Sequence, residues 1–127
     1  ERHRLQYLVL RSLAHRVDFS AMALLHFAPE AFFRDLFKGW FGSYTTADLR
    51  HPSVDYHVDL TDLPFASQSY DCVFASHVLE HIKDDQSALT EIRRILKPGG
   101  FAILPVRNAV RRSHRAAGRG WVRGHAV

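Results

Sequence analysis

The chain is poor in cysteine, since Cys72 is the only one among its 127 residues. An internal disulfide is therefore excluded, and so is a zinc ribbon built from this chain's cysteines alone. A lone thiol suits a reducing compartment, and we expect a cytoplasmic location. No apolar run approaches the roughly 20 residues of a membrane-spanning helix, and no secretory signal is visible, so no membrane partner is expected.

Acidic residues are missing from the C-terminal segment, residues 106–127. Residues 1–105 contain 11 Lys or Arg and 13 Asp or Glu, a net charge of −2, whereas the C-terminal segment contains six Arg and a net charge of +6. The chain's net charge of +4 therefore arises in that segment. Apolar periodicity also stops there, so burial cannot offset the ordering entropy, and we expect disorder over residues 107–127.

The rest of the chain carries regular apolar patterns. A first helix is predicted over residues 3–16, with one face formed by Leu5, Leu8, Val9, Ser12 and Leu13. Short apolar or β-branched runs predict five strands, at residues 22–28, 43–49, 56–60, 71–76 and 101–106.

Two further helices are predicted between these strands. The first is stopped by Gly39 and Gly42, and its apolar face contains Phe33, Leu36, Phe37 and Trp40. The second has Asp84 or Asp85 as its cap, ends at Pro98-Gly99-Gly100, and is lined by Leu89, Ile92 and Leu96. Strands that alternate with helices predict a parallel sheet with right-handed crossovers, which is a doubly wound α/β fold.

One stretch is more specific than the rest. Val58-Asp59-Leu60 ends a strand, Leu63-Pro64-Phe65 forms a turn, Tyr70-Asp71 opens the next strand, and Lys97-Pro98-Gly99-Gly100 follows the last helix. Over residues 22–106 this order resembles the class I S-adenosylmethionine (SAM) dependent methyltransferases, in particular their small-molecule type 11 group.

The resemblance implies a Rossmann-like sheet with strand order 3-2-1-4-5. A complete sheet of that family has two more strands after residue 106, so its C-terminal strands are expected to be missing or replaced here. The implied organisation is an N-terminal helix at 1–20, a SAM-binding domain at 21–106 and an Arg-rich tail at 107–127. An unpaired strand at residues 101–106 would leave an exposed sheet edge, which predicts self-association.

The first strand ends in His26-Phe27-Ala28-Pro29-Glu30, where the family usually has a Gly-x-Gly loop. By resemblance Ala28 stands in place of the first glycine and Glu30 in place of the second. Glu30 could meet the ammonium group of SAM. It could equally be an ordinary acid at a helix start, which the helix dipole favours.

Two acids follow the next two strands. Asp48 lies 20 residues beyond Ala28, a spacing at which an acid can accept hydrogen bonds from both ribose hydroxyls, although Asp48 could also be a turn residue. By resemblance Asp59 accepts from the adenine amine, and Leu60 offers its backbone N–H and an apolar face. Asp62 is the competing acid and is interpreted as a turn residue.

The fourth strand ends at Ser76 and His77, where the family places backbone contacts and part of the methyl-acceptor pocket. Methyl transfer needs alignment in a dry site, and acceptors with acidic protons also need a general base. His77 is our catalytic candidate, with His81 near it. The alternative is that His77 is merely a polar residue at a helix start.

The same segment, from His77 to Glu80 and His81, matches the His-x-x-Glu-His motif of inverted zinc peptidases. On a helix the two histidines would share one face, as zinc ligands require. Glu91, the last acid in the chain, lies only ten residues beyond His81, so the downstream acidic ligand is not supplied. We therefore predict no metal site.

The resemblance implies transfer of a methyl group from SAM to a small-molecule acceptor. The expected truncation could also have removed this activity from the chain. Two alternatives stay open. Six Arg with Trp121 could bind nucleic acid non-specifically, although the rest of the chain is not basic. A nicotinamide-dependent reductase would share the sheet and the ribose acid, but the Asp59-Leu60 and Leu63-Pro64-Phe65 run favours a methyltransferase.

Overall fold

A parallel six-stranded sheet forms the centre of the fold in this computed structural model, which describes residues 2–105 and 121–122. The strand order is β3-β2-β1-β4-β5-β6, and every pair is parallel. The strands are β1 Ala23–Phe27, β2 Ser43–Asp48, β3 Tyr56–His57, β4 Tyr70–Ala75, β5 Leu96–Ile103 and β6 Trp121–Val122. The helices are α1 Arg2–Ala14, α2 Ala31–Trp40 and α3 Asp85–Ile95.

This order confirms the predicted doubly wound α/β fold and the 3-2-1-4-5 arrangement of the first five strands. A parallel sheet has both faces covered, so its central strands are apolar on both sides. Leu25 and Phe27 of β1 face a cluster that includes Leu89 and Ile92 of α3. Leu24 faces the opposite cluster, which includes Leu10 of α1 and Phe33 and Phe37 of α2. None of the helices within the described ranges is long and apolar enough to cross a membrane.

Helix α2 packs by the predicted face, with Phe33 and Phe37 fully buried. Gly39 does not stop it, because the helix continues to Trp40 and is capped at Phe41. Gly42 has a different importance, since a Cβ at this position would overlap the main-chain oxygen of Ser20. The prediction that Gly39 is a stop was therefore wrong, while Gly42 allows a close approach of two backbone segments.

Helix α1 packs by only part of the predicted face, since Leu13 contacts the α2-side cluster and Leu8 does not. Leu8 is 50% exposed, whereas Leu10 is 1% exposed and lies in the α2-side cluster. Tyr7 contacts Trp40 with ring centroids 6.3 Å apart, which turns the helix so that Leu10 points inward. The predicted range 3–16 is close to the observed one, but Leu8 was assigned to the wrong side.

Helix α3 begins as predicted, with Asp84 at its cap, where the carboxylate accepts from the backbone N–H of Ser87 at 3.1 Å. It ends at Ile95, before the Lys97-Pro98-Gly99-Gly100 segment, which instead belongs to β5. The pairing with β4 moves from Tyr70↔Leu96 to Cys72↔Phe101, so this segment bulges out of the ladder. The prediction that Pro98-Gly99-Gly100 ends the helix was therefore wrong, and the positive φ of Gly99, 83°, marks the bulge instead.

Strand β3 covers only two of the five predicted residues, since the chain leaves the sheet after His57. One ladder-like bond remains, from the Val58 N–H to the Asp48 carbonyl at 3.0 Å. The Asp59 carboxylate then accepts from the Thr61 N–H at 2.9 Å, and this bond closes a turn. Asp59 and Leu60 therefore lie on a turn rather than in a strand.

Of the predicted C-terminal tail, the structure describes only Trp121–Val122. Trp121–Val122 pairs with Ala102 and Ile103, so the edge of β5 is not unpaired along its whole length as predicted, and these two residues of the tail are in a strand. The rest of the expected disorder over 107–127 lies outside the described residues.

Candidate functional site

A cleft of about 260 Å³ opens at the carboxyl ends of β1, β2 and β4. In this sheet the connections reverse direction between β1 and β4, and ligands of open α/β sheets bind at such a switch point. The lining is mostly apolar, and it consists of Phe27, Ala28, Asp48, Leu49, Asp59, Leu60, His77, Val78, His81 and Ile82.

Two residues that line the cleft, one after β1 and one after the neighbouring strand β4, have an unusual backbone. Ala28, after β1, has a φ of 54°, and His77, after β4, has a φ of 58°. This left-handed region costs a residue with a Cβ roughly 1–2 kcal/mol, which is why glycine is usual there. Each turn is held by a main-chain bond of 2.8 Å, from Ala28 N–H to the Ala47 carbonyl and from His77 N–H to the Pro105 carbonyl. Such strain concentrates at functional sites.

Asp48 is the last residue of β2 and is half-buried at the rim of the cleft. Its Oδ1 accepts from the N–H of Leu49 at 2.6 Å, which fixes the carboxylate at the strand end. Leu49 itself is 50% exposed although it is a large apolar residue. An acid beside an exposed leucine offers a hydrogen-bond acceptor and an apolar surface to the same ligand.

Asp59 and Leu60 form the next part of the wall. Asp59 is exposed, and its Oδ1 accepts from both the N–H and the hydroxyl of Thr61, at 2.9 and 2.8 Å. These two bonds hold the pKa of Asp59 below its ordinary value, so the carboxylate is ionised at neutral pH. Leu60 is only 1% exposed and belongs to the core, yet it also lines the cleft.

The segment after β4 contributes two histidines, His77 and His81, to the lining of the cleft. The Nδ1 of His77 lies 3.5 Å from Oε2 of Glu80, and both side chains are mostly buried. Residues Leu79–His81 form a short 3₁₀ turn, so the α-helix on which the His-x-x-Glu-His motif would place both histidines on one face is absent from this stretch. In the part of the chain that the structure describes, no three His, Cys, Asp or Glu residues are grouped as a metal site requires.

Five of the seven predicted site residues therefore meet in one cleft, namely Ala28, Asp48, Asp59, Leu60 and His77. The other two are not among its lining residues. Glu30 precedes α2, where its carbonyl accepts from Arg34 N–H at 2.9 Å. Ser76 is buried next to His77 in the chain.

Sequence reasoning missed the apolar lining, which consists of Phe27, Leu49, Val78 and Ile82. Leu49 carried a usable signal, since it follows a predicted strand-end acid directly. Asp62 lies where it was predicted, in the turn, with its N–H donating to the Asp59 carbonyl at 2.9 Å. Asp71 of β4 fixes the start of β1, because its Oδ2 accepts from the N–H of Ala23 at 2.9 Å.

A second, larger and more open cleft of about 600 Å³ lies at the opposite ends of the strands. The ends of α1 and α2 form it, and its lining includes Arg16, Asp18 and Trp40. This cleft is at the amino ends of the strands, away from the switch point, and it contains none of the predicted site residues.

A family model described as a methyltransferase domain matches residues 40–104, which is about half of the chain. Fumosorinone synthetase of Cordyceps fumosorosea is 37% identical over 93 residues, which cover 65% of this chain and 2% of that protein. Demethylmenaquinone methyltransferase of Renibacterium salmoninarum is 42% identical over 56 residues, 43% of this chain and 24% of that protein. The chain thus spans a quarter or less of these two curated relatives.

Solved structures show the same fold. The trans-methyltransferase CalH in complex with SAH aligns with a TM-score of 0.60 at 22% identity, over 75% of this chain and 34% of that chain. The YcgJ protein of Bacillus subtilis aligns with a TM-score of 0.65 at 18% identity, over 83% of this chain and 53% of that chain.

Proposed function

We propose, because the chain belongs to the methyltransferase domain family, that it binds SAM in the cleft at the strand ends and transfers a methyl group to a small-molecule acceptor. The observation that most supports this proposal is that one cleft is lined by Ala28, Asp48, Asp59, Leu60 and His77. These residues come from four separate loops, and only the fold brings them together.

The donors and acceptors of the cleft fit this cofactor. We assign Asp48 to the ribose hydroxyls, because its carboxylate sits at the strand end beside Leu49. We assign Asp59 to the adenine amine, with Leu60 against the ring. An ionised carboxylate accepts only, and both ligand groups are donors, so the pairing is consistent.

The size of the cleft suggests which part of SAM it takes. Its volume of about 260 Å³ is slightly below the range of about 300–1,000 Å³ that drug-sized ligands usually occupy. We therefore assign the adenosine part to the cleft and the methionine part to the loop from Ala28 to Glu30. The left-handed turn at Ala28 keeps that loop's backbone close to the strand end.

Bound SAM would supply an electrophilic methyl group on its sulfonium sulfur. The chain would then need to orient the cofactor and to accept a proton where the acceptor carries an acidic one. We assign His77 as this general base, with Glu80 beside its Nδ1.

The cellular location of the protein and the limits of its two parts are also proposals. We propose a cytoplasmic location, for which the buried free thiol of Cys72 is the support. We keep residues 21–106 as the cofactor-binding part and 1–20 as an added helix. We also keep self-association as an expectation, through the part of the β5 edge that pairs with none of the described residues.

The direct test is calorimetric titration with S-adenosylhomocysteine, the product form of the cofactor. Wild-type chain should bind, and Asp59→Asn should bind at least about tenfold more weakly, since a charge-assisted hydrogen bond is lost. Asp62→Asn is the matched control, because Asp62 lies three residues away in the same turn and should change nothing. Binding of NADH in place of S-adenosylhomocysteine would contradict the proposal and favour a reductase.

A further inference from the structure

The segment between β3 and β4, residues 58–69, brings Asp59 and Leu60 to the cleft, and its polar ties to the rest of the fold converge on the end of α3. The backbone N–H of Gln68 donates to the Arg94 carbonyl at 2.9 Å, and that of Ser69 donates to the Ile95 carbonyl at 2.8 Å. These bonds fix the end of the segment that enters β4.

The middle of the segment is held by two side chains of α3, Glu91 and Arg94, which we call the α3 clamp. Glu91 Oε1 accepts from the N–H of Leu63 at 2.7 Å. Arg94 donates from Nη2 to the Leu63 carbonyl and from Nη1 to the Phe65 carbonyl, each at 2.9 Å. The clamp thus satisfies three part-buried main-chain groups on either side of Pro64.

The two side chains of the clamp also hold each other. Arg94 Nε donates to Glu91 Oε2 at 2.9 Å, and Nη2 donates to Oε1 at 3.0 Å. The bond from Arg94 is the main reason that the pKa of the Glu91 carboxyl lies below its ordinary value. Glu91 therefore stays ionised, and the pair acts as one bidentate unit.

The turn that the clamp secures is itself rigid. Thr61 donates twice to the Asp59 carboxylate, and the Asp62 N–H donates to the Asp59 carbonyl. A turn that is closed on itself moves as one body, so its position depends on its attachments to the core. These attachments are the bond from Val58 N–H to the Asp48 carbonyl, the buried side chains of Leu60 and Leu63, and the α3 clamp.

We propose that the α3 clamp positions the Asp59–Leu60 wall of the cleft and so sets the preference of the site for adenine. The inference rests on the proposed function, and it adds two positioning residues, Glu91 and Arg94, which do not line the cleft. Displacement of a hydrogen-bonding group by about 1 Å can cost 100-fold in a reaction rate. The Asp59 carboxylate, which we assign to the adenine amine, needs to be positioned with the same accuracy.

The guanidinium is essential to this role because it must reach two carbonyls and one carboxylate at once. Arginine presents a planar fork of donors, whereas lysine presents one compact charge. Arg94→Lys therefore keeps the charge and loses most of the bonds. Glu91→Gln keeps an acceptor for Leu63 N–H and loses the charged pair with Arg94, which makes it a milder second variant.

The experiment compares the affinities of S-adenosylhomocysteine and S-inosylhomocysteine, which carries a carbonyl in place of the adenine amine. Calorimetry would be run on wild-type chain, Arg94→Lys, Glu91→Gln and the control Arg93→Lys, whose side chain is exposed on the same helical turn. Hydrogen exchange of residues 60–66 would be measured on the same samples without ligand.

We expect wild-type chain and Arg93→Lys to prefer the adenosyl ligand. Arg94→Lys should lose about tenfold or more of that preference, with a smaller loss in Glu91→Gln, and exchange of residues 60–66 should rise in both. A wild-type preference in Arg94→Lys, even with faster exchange, would overturn the clamp's role in recognition and leave the proposed function standing. Wild-type chain that binds neither ligand would overturn both.

Discussion

His26 makes the stability of this fold sensitive to mild acid. It lies on β1 with 0% exposure, between the rings of Phe37 and Phe74, at centroid distances of 5.1 and 5.2 Å. Its Nδ1 is 2.8 Å from the Tyr44 hydroxyl, and its Nε2 has no hydrogen-bond partner among the described residues. An imidazolium at this position would be a buried and poorly paired charge.

Burial, assisted by the positive charge of Arg34, lowers the pKa of His26 from 6.5 to about 3. The unfolded chain therefore takes up a proton below pH 6.5 that the folded chain does not. The stability associated with neutral His26 is complete above pH 6.5 and decreases as the pH falls toward 3. At 1.36 kcal/mol per pH unit, the loss between pH 7 and pH 5 is about 2 kcal/mol.

Urea unfolding at pH 7 and pH 5 measures this loss directly. His26→Leu should remove most of the pH dependence, since leucine cannot be protonated, whereas His15→Gln, at an exposed histidine, should keep it. The pH range stays above the ordinary pKa values of carboxyl groups, so Asp and Glu contribute little. An equal loss in wild-type chain and His26→Leu would refute the assignment of acid sensitivity to His26.

Three further predictions concern the backbone and the core, each measured as a shift in the urea midpoint. Ala28→Gly should stabilise the fold by about 0.5–1 kcal/mol, because glycine relieves the left-handed strain, and a lower midpoint would contradict it. Leu10→Ala should lower the free energy of unfolding by about 2–5 kcal/mol, whereas Leu8→Ala, at an exposed position, should change it by no more than about 0.5 kcal/mol. Similar losses in the two variants would contradict the burial of Leu10 in place of Leu8. Gly39→Ala should stabilise α2 by about 0.5–1 kcal/mol, whereas Gly42→Ala should destabilise the chain by overlap with Ser20, and equal effects would disprove the close approach.

The doubly wound α/β class could be predicted because it depends on patterns that are local in the sequence, whereas the strand order was implied by the family resemblance. Apolar runs end in polar residues at Asp48 and Asp59, and the alternation with helices requires a parallel sheet. The same locality explains why five of the candidate residues line one cleft. Residues after parallel strands converge on one edge of the sheet whatever the details of packing are.

The features that could not be predicted depend on contacts between distant segments. Leu8 and Leu10 are equally apolar, and the packing of α1 against the cluster on the α2 side decides which of them is buried. The left-handed backbone of His77 accompanies a bond to Pro105, almost 30 residues later in the chain, and no local signal marks it. The role of Arg94 likewise depends on carbonyl groups about 30 residues earlier in the chain.

The most direct test of the central claim is to map the binding site of S-adenosylhomocysteine by backbone amide chemical shifts. The account predicts that the largest shifts fall on the cleft at the strand ends, at Ala28, Leu49, Leu60 and His77. Shifts concentrated instead on the opposite cleft around Trp40, or no shifts from a folded chain, would contradict it.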